Sequence, residues 1–317
     1  MKNIYSNIFK VNNKNLSKAI RYLEKKELIG VPTETVYGLA GNAYSSKAVK
    51  KIYLLKKRPY KNPLIVHYYD LEQLKKDVKL NDNFFKLYKK FCPGPITFVL
   101  KKKKNSLLSK MATASKNTVA IRFPENKTPR KILKSFNFPL AIPSANKSSH
   151  ISPVSAEDVA QEFRRSIKII LNGGLCRIGL ESTVLDLTSK PKILRPGLIS
   201  PSDISKALNK KIFINQDSKI IKAPGMFKRH YSPGIPMKLN QKKAKNNEAF
   251  IVFGKKYKKG KNIFNLSYES NLNEAAKKLY KTLRLIKNKK YKMICVSSIP
   301  KIGIGLAIND RLNRAAN

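Results

Sequence analysis

Apolar residues recur along this chain at helical and strand periods in turn. Leu16, Ala19, Ile20 and Leu23 fall three or four apart with lysines between them, which predicts a helix over 14–27. Leu28, Ile29 and Val31 read as a strand feeding the turn Thr33-Glu34-Thr35. Ala48, Val49, Ile52 and Leu55 define one face of a second helix, with lysines opposite. Ser45 suits its N-cap, because its hydroxyl can accept from an orphan first-turn amide. Pro59 disfavours helical geometry at Arg58 and should stop the helix there. Leu64-Ile65-Val66 predicts a buried strand that delivers His67 at its end.

The alternation continues. Residues 70–90 read as two helical pieces, Cys92-Pro93-Gly94-Pro95 as a turn, and 96–100 as a strand ended by Lys101 to Lys104. Further strands are predicted at 119–123, 139–142, 167–171, 184–187 and 193–195. Ser155 and Asp158 form a capping box opening a helix over 155–165, and Ser200 with Pro201 opens another. Over 215–246 the periodicity is lost, while Pro224, Gly225, Pro233, Gly234 and Pro236 accumulate. A loop this long is linker or functional, and the aromatic, basic and histidine residues of APGMFKRHYSPG favour a segment that docks. A compact βαβ pattern then resumes, with strands at 250–253 and 293–296 and helices at 272–286 and 306–316. The fold class is α/β, in three parts: 1–210, a linker or lid over 211–246, and a small domain over 247–317.

Composition changes little of that picture. The 317 residues, 42% hydrophobic, can bury a real core. No apolar run is long enough to span a bilayer, and MKNIYSNIFKVNN lacks the apolar core of a signal peptide, so a cytoplasmic protein without membrane attachment is expected. Cys92, Cys176 and Cys295 lie far apart with no CxxC pair, which argues against a zinc site or a disulfide framework. The net charge of +47 is spread along the chain rather than gathered in a stripe. Lys, Asn and Ile all have AT-rich codons, so drift in base composition accounts for the excess, and a dedicated nucleic-acid surface is the alternative. Weak, salt-sensitive RNA association is expected either way.

The candidate chemistry lies at strand ends. There is no GxxxxGK[ST] loop, no GxGxxG turn and no GxSxG elbow. Arg122 sits in an apolar strand, and burying it unpaired is costly, so it should meet an acid, a ligand carboxylate or a phosphate, or else reach solvent at the strand end. Small polar residues past the strand over 139–142 stand where α/β sheets place ligands. Basic and hydroxyl residues of this kind suit a phosphate-bearing small molecule held by side chains.

PTETVYGL (32–39), Lys56-x-Arg58, KNPL (61–64), PGP (93–95), Ser144-x-Asn146, ESTV (181–184) and LRPG (194–197) follow one another in a known order and spacing. With them the chain resembles the threonylcarbamoyl-AMP synthases, whose catalytic domain is YrdC-like. GMFKRHYSPG is similar to the linker motif of the longer, two-domain branch, and GLAINDRLNRAA to its C-terminal end. The resemblance implies a twisted mixed sheet with helices around a deep basic cavity, followed by a linker and a small Rossmann-like domain. It implies the conversion of L-threonine, bicarbonate or carbon dioxide, and ATP into threonylcarbamoyl-AMP and pyrophosphate. Magnesium would be carried on the ATP phosphates, with no protein ligands. The product would serve a separate complex that modifies tRNA beside the anticodon.

Residue by residue, the resemblance implies that Thr35, His67, Arg122, Ser182 and the backbone near Ile142 hold threonine. Lys56, Arg58, Asn62, Thr118, Ser144, Asn146, Ser152 and Arg195 would surround the nucleotide, Lys56 and Arg58 acting on the phosphates. Tyr231 would close over ATP as a lid. Lys57 stands where such proteins often carry glycine, and Cys92 where they often carry tryptophan. A YrdC-like RNA-binding module and a hydrogenase-maturation carbamoyltransferase are the competing readings, and the second lacks its zinc-finger cysteines here.

Overall fold

Local capping sets where the helices begin. The structure, a computed structural model, describes residues 3–214, 230–257, 259–289 and 291–317. Strand β1 (Ile8–Lys10) leads to helix α1 (Asn13–Glu24), whose Asn12 side chain accepts from the Asn15 amide. β2 (Ile29–Val31) and β3 (Gly38–Asn42) pair antiparallel on either side of the threonine turn. α2 (Ser46–Lys56) is capped by Ser45, as its sequence predicts. It stops before Pro59, because Lys57 turns left-handed at φ 48°. That conformation is free for glycine and costs a side-chain-bearing residue about 1–2 kcal/mol.

β4 (Ile65–His67), α3 (Leu71–Lys75), β5 (Val78–Lys79), α4 (Asp82–Phe91), β6 (Ile96–Lys102) and β7 (Thr118–Arg122) follow. α5 (Lys127–Lys134) was not announced by periodicity; its Pro129 lies in the first turn, where missing amide partners make proline tolerable. Then come β8 (Leu140–Ala141), α6 (Ala156–Phe163) with its Ser155–Asp158 capping box, β9 (Ile170–Asn172), β10 (Thr183–Asp186), β11 (Lys192–Arg195), α7 (Pro201–Leu208) and β12 (Phe213–Ile214). The smaller half holds β13 (Met237–Lys238), β14 (Ala249–Val252), β15 (Ile263–Asn265), α8 (Leu272–Asn288), β16 (Ile294–Val296) and α9 (Gly305–Ala316).

Twelve of these strands form one mixed sheet, in the order β1-β9-β2-β3-β8-β4-β7-β6-β10-β11-β12 with β5 beside β6. The other four form a parallel sheet, β13-β16-β14-β15. β12 and β13, both inside the expected linker over 211–246, belong to the first and second sheets respectively. Pro224 and the start of the GMFKRHYSPG stretch lie outside the described residues.

Register brings the ends of distant strands together. His67 lies opposite Arg122 across β4 and β7, and Arg195 lies opposite Val184 across β11 and β10. β6 runs antiparallel to β7 and parallel to β10. One edge of the sheet therefore collects the ends of β4, β7 and β11 and the starts of β6 and β10.

One apolar core crosses both halves, with Ile178 and Leu180 packed in the same cluster as Ala276, Leu279 and Tyr280. Each large side chain buried there contributes about 1.5–3 kcal/mol. The halves meet backbone to backbone at Gly179: a Cβ there would stand 2.7 Å from the Lys277 Cα of α8. Among the described residues, no helix is long and apolar enough to cross a membrane.

Candidate functional site

The turn after β2 is built from its own hydroxyl. Thr33 Oγ1 accepts from the Thr35 and Val36 amides at 3.1 and 3.2 Å and lies 2.9 Å from Thr35 Oγ1. This turn, the end of β4 and the end of β7 wall one side of a cavity lined by Thr35, His67, Arg122 and Ile142. Arg122 is buried, and its need for an acid is met by Glu34, to which one terminal nitrogen is ion-paired. The other terminal nitrogen donates to Thr35 Oγ1 at 2.9 Å, while Nε, also buried, has no partner among the described residues. Burial would raise the Glu34 carboxyl, but the Arg122 guanidinium beside it brings it below the usual carboxylate range. His67 is pushed well below its ordinary pKa by burial and then by Arg122, and its Nδ1 has no partner among the described residues. It is a neutral imidazole.

The opposite side carries Arg58, Ser144, Ser182 and Arg195. Arg58 Nε donates to the Asn62 carbonyl at 3.0 Å, and Nη2 donates to Asn62 Oδ1 and the Pro63 carbonyl at 2.6 and 2.7 Å. The KNPL loop thus aims the guanidinium. Burial lowers the Arg58 pKa to about 10, which still leaves it charged at neutral pH. Arg195 donates from Nη2 to the Ser182 carbonyl at 2.9 Å, and Ser182 Oγ lies 2.7 Å from Thr97 Oγ1. Gly197 lets β11 leave this wall, since a Cβ there would sit 2.3 Å from the Thr183 nitrogen.

Four expected residues stand behind the wall rather than on it. Asn62 holds Arg58, as described. Lys56, expected to act on phosphates, donates instead to the Ser144 and Asn146 carbonyls and is not among the lining residues. It is 1% exposed, so its ammonium must find acceptors in the protein. Burial, then Arg58, pushes its pKa well below the usual lysine value. Asn146 holds the same loop by donating to the Lys147 and His150 carbonyls at 2.7 and 2.9 Å. Ser152 donates to Glu181. Thr118 is not brought to the cavity at all: it lies at the other end of β7, opposite Lys101, in a surface groove lined by lysines. The Ile142 amide is engaged by the Ile65 carbonyl at 3.0 Å.

His230 and Tyr231, from the segment at 230–232, also line the cavity. Tyr231 is buried at φ 65°, a conformation that costs a bulky residue about 1–3 kcal/mol. Burial lowers the His230 imidazole to about 3.

Reading of the residues gave no role to Glu34, Glu181, Tyr280 or Arg311. Glu181 lines the cavity and accepts from Ser152, from the Tyr280 hydroxyl at 2.9 Å and from Arg311 Nε at 2.9 Å. Burial would raise its carboxyl, but Arg311, Arg195 and these donors bring it to about 2. A signal was present: in a chain with 66 basic and 19 acidic residues, an acid inside a motif is conspicuous.

The family profile described as "Telomere recombination" (Sua5, YciO, YrdC) matches residues 21–197, and "Threonylcarbamoyl-AMP synthase, C-terminal domain" matches 199–317. The threonylcarbamoyl-AMP synthase of Pyrococcus abyssi is 35% identical over 317 residues, covering 94% of this chain and 93% of its own. That of Bacillus subtilis is 35% identical over 329 residues, covering 96% and 94%. The crystal structure of P. abyssi Sua5 complexed with L-threonine superposes with a TM-score of 0.90 at 33% identity, over 98% of this chain and 97% of that one. Two adjoining profile matches, full-length relatives and a shared two-sheet architecture together place the chain in the threonylcarbamoyl-AMP synthase family.

Proposed function

We propose that the chain is an L-threonylcarbamoyladenylate synthase, a nucleotidyltransferase that joins L-threonine, bicarbonate or carbon dioxide, and magnesium-bound ATP. The observation that carries this reading is that Arg58, Arg122 and Arg195, from three separate stretches, border one cavity beside a neutral His67. Arg122 offers its spare Nε to the amino acid's carboxylate. His67 is a weak base when held so far below neutrality, so it is read as a hydrogen-bond partner of the threonine hydroxyl.

Threonine's amine takes up carbon dioxide: an N–C bond forms and a proton leaves, giving a carbamate. A carbamate oxygen then attacks the α-phosphorus, and the bond to the bridging oxygen breaks as pyrophosphate departs with its electron pair. The incoming anion is repelled by a triphosphate of about four negative charges. Arg58 and Arg195 offset that repulsion, and the chain's main contribution is positive potential and positioning. The magnesium ion would be carried on the ATP phosphates, as part of the substrate. Lys56, Asn62, Asn146 and Ser152 shape the wall, and Tyr231, on the cavity lining, is read as a lid that closes over ATP. The adenylate would pass to a separate complex that modifies tRNA, and the dispersed lysines would give only weak, salt-sensitive nucleic-acid binding.

Pyrophosphate release from magnesium ATP by the purified chain should require both threonine and bicarbonate, and the product should carry the mass of threonylcarbamoyl-AMP. ATP turnover that ignores threonine would sink the reading.

A further inference from the structure

Arg311 is a buried cation whose partners come from the other half of the chain. It stands on α9, its side chain 0% exposed, and the acceptors Glu181 and Pro196 lie 130 and 115 residues earlier. Nε holds Glu181 at 2.9 Å, directly before Ser182, and Nη2 holds the Pro196 carbonyl at 3.0 Å, directly after Arg195. Nη1 is engaged by Asp310 at 2.6 Å. On the other side, the Arg311 Cζ lies 5.1 Å from the centre of the Tyr231 ring. Tyr280 of α8 stacks on that ring at 5.8 Å and donates its hydroxyl to Glu181.

One planar group therefore touches both the stretches that carry Ser182 and Arg195 and the Tyr231 ring, which lines the same cavity. Among the described residues the Tyr231 hydroxyl is buried without a partner, and its backbone is left-handed. Its neighbours are tied down on either side, the His230 amide to the Arg314 carbonyl at 3.0 Å and the Ser232 amide to the Ser149 carbonyl at 2.8 Å.

We propose that Arg311 is a positioning residue for the nucleotide end of the cavity: it seats the Tyr231 ring against the Glu181–Pro196 wall, so that the small domain sets how the cavity closes. This rests on the reading of that end as the ATP site. Cation–π contact with a desolvated guanidinium and stacking on Tyr280 give the ring its place.

The test uses the full-length chain, wild type beside Arg311→Lys and the charge-balanced double variant Glu181→Gln/Arg311→Met, which removes both members of the pair and leaves Asp310 with Arg314. Amide exchange over 230–236 should be at least tenfold faster in the double variant, with exchange over α8 unchanged. Arg311→Lys, which keeps the charge and loses the planar face, should fall between. In the same proteins the KM for ATP should rise at least fivefold while the KM for threonine stays within twofold. Wild-type exchange and wild-type ATP KM in both variants overturn the proposal, and so does faster exchange throughout the small domain, which would mark a merely structural pair. The exchange measurement needs no substrate, so a wild-type chain without threonine-dependent turnover would defeat the function while leaving the seating of Tyr231 decided.

Discussion

Arg122 with Glu34 and Arg311 with Glu181 are both buried arginine–glutamate pairs, yet their remaining donors are used differently. Arg122 lines the cavity and keeps a buried Nε without a partner among the described residues. Arg311 has its nitrogens engaged by Glu181, Asp310 and Pro196. Removing water from an ion pair costs several kcal/mol per ion, so a donor left over inside the protein is tolerable only where something else will meet it. The pair within the first sheet keeps a donor that, on the proposed function, the threonine carboxylate would meet. The pair between the halves is saturated because its work is to hold.

The comparison breaks most sharply at Arg311. Arg311→Ala strands the Glu181 carboxylate and should lower stability by about 3–5 kcal/mol, measured by urea denaturation, with most of it regained in Glu181→Gln/Arg311→Met. Equal losses in both variants would mean that packing, not charge, is what Arg311 supplies. Arg122→Lys keeps an ion-pair partner for Glu34 but loses the fork; kcat/KM for threonine should fall about a hundredfold, about 2.7 kcal/mol. Arg58→Ala should lower turnover at least tenfold, about 1.4 kcal/mol, and an unchanged rate would remove Arg58 from the site.

Acid should weaken the fold in two stages. His67 and His230 are neutral when folded and would be protonated when unfolded below about pH 6.5, so their contribution is present above that pH and is lost as pH falls. Glu34 and Glu181 have lowered folded pKa values, so theirs is present above about pH 4.3 and is lost below it, toward about 2 for Glu181. The urea midpoint should hold steady from pH 8 to 7, decline through pH 5.5 and drop steeply below 4. A midpoint equal at pH 7.5 and 5.5 would show that the imidazoles charge without penalty. Least of all, Thr118→Ala should change turnover less than twofold, since it lies at the far end of β7.

The parts that local chemistry decides were legible in the chain. Ser45 caps α2, and Ser155 and Ser200 open their helices through capping boxes with Asp158 and Asp203, because a hydroxyl and an acid three residues on act within one turn. α5 was not legible, since its Pro129 hides a short periodic run. β12 and β13, two residues each, carry no periodicity of their own and exist because neighbouring strands accept them. In the site, motif order pointed to Arg58, Arg122, Ser144 and Arg195, and the cavity collects all four. Lys56 and Thr118 show where that stops. Whether a cation reaches a cavity or a carbonyl depends on burial, and which end of a strand a residue occupies depends on register. Glu34 was foreshadowed by Arg122's need for an acid, but the reach from α9 to Glu181 crosses 130 residues and leaves no local trace.

The place of Tyr231 on the cavity lining, held by Arg311 and Tyr280, bears on inhibition. A compound whose binding displaces that ring would be slowed by the ring's own movement, so its potency should grow with pre-incubation, and its onset should keep pace with the opening of the segment rather than with diffusion.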